Sequence, residues 1–245
     1  MTTADIDLLA VEIARDAEAL LAVAAAPDLP AGMVVLPLGG RDNASGSSLG
    51  SGHDLALANG CRPGAVAVRV DVAGILRIAL TEAADRPGIA IDVARHAAEQ
   101  LTIHETAHAL VADLDSEHNI AEAIARVRAA DAMPGRFGAD VHCPRWAAAV
   151  VALAGRAIPL RPTGEHECLE WFTRNDLERY GIDAAAVAEA LGDVADEVRL
   201  RELLVADGDA ARRVAAVCLP EHERQTVILE YRRQRVAAGV GGLTH

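Results

Sequence analysis

Two histidines four positions apart, with a glutamate directly after the first, stand in the string His104-Glu105-Thr106-Ala107-His108. Such a string carries chemistry when it lies on a helix. At about 3.6 residues per turn, positions 104 and 108 stack on one face. Both imidazoles then reach one ion at the roughly 2.0–2.1 Å of a zinc–nitrogen bond. Glu105 is turned by about 100° around the axis, beside the ion and not on it, where its carboxylate can take a proton from water. Zinc brings the pKa of a water it holds to about 7. The expected chemistry is hydrolysis by a zinc-activated water, with Glu105 as general base. The competing reading is a pair of histidines that never meets a metal.

A catalytic zinc site takes three protein ligands and keeps one position open, so a third ligand has to come from elsewhere. Leu114 occupies the position ten after His104, which rules out the extended motifs that place a histidine there. Asp115, His118, Glu122 and Asp140 are near enough in sequence to serve. The preferred candidate is His142, in Val141-His142-Cys143-Pro144-Arg145-Trp146. Pro144 suits the first turn of a helix, and a ligand at a loop-to-helix junction can be aimed back at the motif without strain.

These residues need elements to hold them. Ile6, Leu9, Ile13, Ala17, Leu20 and Leu21 recur three or four apart and predict a helix over 3–26, ended by Pro27 and Pro30. Met33–Leu38 and Val66–Val72 read as strands, separated by a Gly- and Ser-rich segment, Gly39–Gly52, that reads as a flexible loop. A helix is expected over 73–85 and a turn at Arg86-Pro87-Gly88. The motif then falls in one long helix, 89–114, with Val93, Ala97, Leu101, His104, His108 and Val111 along one side. Further helices are expected at 119–131, 144–156, 166–179, 183–206, 209–218 and 221–238.

The strings IHETAHALVAD and VHCPRWAAAVVAL together resemble the SprT-like (Spartan-type) zinc metallopeptidases and related zincins, over about residues 95–155. In those proteins a later His, followed by Gly-Pro and an aromatic residue, is the third zinc ligand. The resemblance implies zinc on His104, His108 and His142, Glu105 as general base, and Trp146 in the place of the aromatic; Cys143 stands where the family commonly has Gly. It also implies a metallopeptidase acting on a protein or peptide substrate. The fold expected is α+β and mostly helical. A zincin-like metal-binding domain with a small sheet and an active-site helix would cover 1–160, followed by a helical C-terminal region over 161–245.

Composition narrows the partners. A formal net charge of −13 argues against nucleic acid as the main partner. Half the chain is hydrophobic but only 2 % is aromatic, so its core has to be made of many small aliphatic contacts. Cys61, Cys143, Cys168 and Cys218 are too widely spaced for a zinc ribbon or a disulfide framework. Asp5, Asp7, Glu12, Arg15, Asp16 and Glu18 interrupt the N-terminal apolar residues, unlike a signal peptide, and no apolar run reaches membrane-spanning length. A soluble, cytoplasmic protein with no membrane partner is expected.

His53, His166 and His222, each beside acidic residues, read as surface histidines. Tyr180, Arg145, Arg136 and His166 are candidates to stabilise an oxyanion, and Trp171-Phe172 reads as a core anchor. The alternative function is a non-catalytic zinc-binding interaction or regulatory protein. It would show a fourth protein ligand in place of water.

Overall fold

The computed structural model describes residues 2–37, 46–47, 65–116, 142, 144–162, 164–192 and 209–218, with single positions between 223 and 234. The expected helix at 119–131 and most of the Gly39–Gly52 loop and of 221–238 lie outside the described residues. So do His53, Cys61, His118, Glu122, Arg136, Asp140, Cys143 and His222, and the side chain of Asp115.

The described chain is mostly helical with a small sheet. Helix α1 (Thr3–Ala24) opens on a capping box: the Thr2 amide donates to Asp5 Oδ2 at 2.7 Å and the Asp5 amide to Thr2 Oγ1 at 3.2 Å. It buries Ala10, Ile13, Ala14, Ala17, Leu20, Leu21 and Ala24, the three-and-four spacing of a core-facing stripe. Strand β1 (Met33–Pro37) pairs in parallel with β3 (Val66–Val70), and the two-residue β2 (Gly46–Ser47) pairs antiparallel on the other side of β3. Central β3 is buried at Val66, Ala67, Val68 and Val70, a near-continuous apolar run that fits a strand covered on both faces. On the outer edge of β1, the Val35 amide donates to Glu18 Oε2 of α1 at 2.8 Å, which satisfies an edge donor from the neighbouring helix.

Helices α2 (Val72–Glu82), α3 (Pro87–Ser116), α4 (Pro144–Ala157), α5 (His166–Glu178), α6 (Ala184–Leu191) and α7 (Asp209–Val217) follow, with a 3-10 turn at Ile158–Leu160 extending α4. Pro144 opens α4, where its missing N–H costs nothing.

The chain groups into two compact units, and the boundaries pass through helices. One comprises Met1–Ala109 with Leu153–Phe172, the other Leu110–Ala152 with Thr173–Thr244. In the first, α1 packs on β1 and α2, and the Arg156 guanidinium bonds Asp28 Oδ2 at 2.7 Å and the Ala24 carbonyl at 3.4 Å. In the second, α6 packs on α7, Val187, Leu191 and Val214 are buried, and Arg213 Nε donates to the Ala190 carbonyl at 2.9 Å.

On the motif helix Val93 is 43 % exposed, and the buried stripe there is Ala90, Ala94 and Ala98. One expectation is corrected. Trp171 is 51 % exposed and packs edge-to-face on Phe172 at 5.0 Å, so it anchors no core. The buried positions of α5 (Leu169, Thr173, Asp176, Leu177) lie on the opposite side of the helix from residue 171. Among the described residues, no helix is long and apolar enough to cross a membrane.

Candidate metal centre

Helix α3 carries the motif where the helix disappears from solvent. Every residue from Thr102 to Leu110 is buried, around the whole circumference. A helix can be buried all round only if its polar side chains find partners. The threonines do so locally: Thr102 Oγ1 donates to the Ala98 carbonyl and Thr106 Oγ1 to the Thr102 carbonyl, each at 2.7 Å. Three further polar side chains in this stretch are His104, Glu105 and His108, exposed by 7, 6 and 8 %.

His104 and His108 meet as the helical spacing requires. Their ring centroids are 4.9 Å apart with the planes at 69°, and their Nε2 atoms lie 3.2 Å apart. Two arrangements give that separation. One imidazole can donate its Nε2–H to the other, or both lone pairs can point at one cation. Ligands of a tetrahedral ion at about 2.0–2.1 Å are separated by roughly 3.3–3.4 Å, which this pair nearly matches.

A third imidazole lies close to this pair. The ligating atoms of His104, His108 and His142 all lie within 4.8 Å of one another, and His142 is 8 % exposed. Three buried histidines therefore stand close together and could hold a metal ion. The all-imidazole set suits zinc, copper, iron or nickel better than calcium or magnesium, which prefer oxygen.

His142 occupies a bend ahead of α4 and is enclosed by aromatic rings. Trp146, fully buried in the first turn of α4, meets it edge-on at 4.5 Å and 79°. Tyr180, just past α5, stacks on its face at 3.7 Å and 21°. Of the other candidate oxyanion donors, Arg145 is partly exposed beside Trp146. His166 uses its Nε2–H on the Arg161 carbonyl at 2.7 Å, which makes it a clasp on the chain ahead of α5.

Sequence reasoning missed a second polar group on α3, nearer its N-terminus. Glu99 is fully buried between His96, whose Nδ1 lies 3.4 Å from Glu99 Oε2, and the guanidinium of Arg161, which pairs with Oε1. Burial is the main cause that lowers the pKa of both His96 and Arg161, with the charge of Glu165 opposing it in each case. His96, Gln100, His104 and His108 recur every four residues along one face. That spacing is legible in the sequence, but the partner, Arg161, is far away along the chain and carries no local signal.

Comparison with protein-family models, curated proteins and solved structures gives no match to this chain.

Proposed function

We propose that the chain is a zinc-dependent hydrolase, a metallopeptidase of the His-Glu-x-x-His type, with zinc on His104, His108 and His142 and Glu105 as general base. The observation that carries this reading is the set of three buried imidazoles within 4.8 Å of one another, with Glu105 adjacent in sequence to a ligand and itself buried. The peptidase part rests on the resemblance of the two motif strings to the SprT-like proteins.

In this reading the three imidazoles would hold the zinc as nitrogen donors. Bound zinc supplies Lewis acidity and a water of pKa about 7. The Glu105 carboxylate takes the proton of the attacking water and returns it to the leaving amine. The low exposure of Glu105 keeps bulk water from competing for that proton and strengthens the electrostatics of the site.

The same low exposure favours a second reading, a non-catalytic metal-binding protein whose site is closed to substrate. Purified chain, loaded with zinc, is assayed against denatured protein and peptide mixtures beside Glu105→Gln. Cleavage that needs zinc and vanishes in Glu105→Gln, with metal content unchanged, supports the hydrolase. Equal cleavage in both removes Glu105 from the mechanism. A zinc site with four protein ligands and no cleavage supports the second reading.

A further inference from the structure

Helical spacing places His104 and His108, but nothing of that kind places His142. It sits in a bend, outside any helix, and its ring direction has to be set by what surrounds it. On the premise that the three histidines hold a metal, we propose that Tyr180 is the positioning residue for His142. It holds the imidazole by stacking on its face, and its hydroxyl is not needed for this.

The stack is close and nearly parallel, at 3.7 Å between centroids and 21° between planes. Trp146 closes the enclosure edge-on to both rings, at 4.5 Å from His142 and 5.5 Å from Tyr180. With only 2 % aromatics in the chain, the meeting of two of them on one histidine is not what average packing would bring. The imidazole of a metal-bound histidine carries partial positive charge, and an aromatic face opposite it is attractive.

The backbone beneath Tyr180 is also fixed. Ile182 donates its amide to the Leu177 carbonyl at 3.1 Å, Gly181 donates to Glu178 at 3.0 Å, and Gly181 has φ +69°. These are the two bonds and the left-handed glycine of a Schellman motif, with Tyr180 as the capping residue of α5. Ile182 and Leu177, 1 % and 0 % exposed, complete its hydrophobic contact. The ring that orients the third ligand is thus mounted on a locked helix end, which limits the entropy lost when a metal fixes His142.

The test is zinc affinity by competition with a chromophoric chelator, together with the visible spectrum of the Co2+ form, for Tyr180→Phe and Tyr180→Leu. The phenylalanine variant keeps the stacking face and is expected to bind within about twofold of wild type. The leucine variant is expected to lose about 10–100-fold, the range for residues that orient metal ligands. Its Co2+ spectrum should move toward that of His142→Ala. Unfolding of the metal-free forms checks the fold, and Tyr180→Met, which fills irregular space, replaces the leucine variant should that one fail to fold. Wild-type affinity in the leucine or methionine variant overturns the proposal, as does equal weakening in Tyr180→Phe, which would assign the role to the hydroxyl. A wild-type chain that takes up no zinc fails the metal-site reading and this inference with it. A binding wild type beside an unaffected leucine variant fails this inference alone.

Discussion

The Nε2 atoms of His104 and His108 face each other at 3.2 Å inside a stretch of α3, Thr102 to Leu110, that is buried on every side. Without a cation, one ring can donate its Nε2–H to the lone pair of the other. With a cation, both lone pairs are used at once. If the pair holds a cation, losing it should cost stability.

Metal removal is therefore expected to destabilise the fold. A ligand at about 1,000 times its Kd adds about 4 kcal/mol to the native state. For a chain of 245 residues that is a Tm shift on the order of 10 °C. Thermal unfolding with zinc, and after exhaustive chelation, reads it directly. Identical curves would mean that the histidines hold no metal.

Removing ligands one at a time should be unequal. His104→Ala and His108→Ala each break the helical pair and are expected to abolish stoichiometric zinc by elemental mass spectrometry. His142→Ala leaves that pair intact and should retain weak binding, lost on dialysis. Full zinc in His142→Ala would remove it from the ligand set and point to an acidic residue such as Asp115, Glu122 or Asp140.

The motif was legible in the sequence because its geometry is local: four residues make one turn, and the helix does the rest. The position of His142 was approachable for the same reason, since Pro144 marks the helix start beside it. The sequence pattern did not mark which residues of the first turns of α3 are buried, and Val93 is exposed. Close packing favours the small side chains of Ala90, Ala94 and Ala98, which are the ones buried. Tyr180 and Arg161 meet His142 and Glu99 across long separations in the chain, and no period or spacing announces those contacts.

The Glu99–Arg161 pair gives a stability prediction independent of any metal. Their side chains are 0 % and 14 % exposed, so removing one charge strands the other away from water. Breaking a buried pair in this way costs about 3–5 kcal/mol. Glu165 remains near Arg161, which puts Glu99→Gln toward the lower end. Replacing both, as Glu99→Leu with Arg161→Met, should recover most of the loss. Urea unfolding of the three proteins measures it, and a cost below about 1 kcal/mol for Glu99→Gln would show that the pair is better solvated than its burial implies.

Protonation of His96 should set part of the acid limit of the fold. Burial lowers its pKa below the ordinary imidazole value of 6.5, and the nearby Glu165 and Asp92 only partly oppose this, while Arg161 and Arg95 add to it. The sign follows from which state takes the proton first. Above the unfolded value the ring is neutral in both states and its full contribution is present. As the pH falls below 6.5, the unfolded chain binds a proton that the folded chain still refuses, and stability declines until the folded value is passed. The comparison that isolates this group is with His96→Gln and not with a pH curve alone. Wild type should lose more stability than His96→Gln as the pH is lowered from 7 toward 5, about 1.4 kcal/mol for each unit by which the folded pKa lies below the unfolded one. Parallel losses in the two proteins would show that Glu99, 3.4 Å from Nδ1, stabilises the imidazolium enough to cancel the effect of burial.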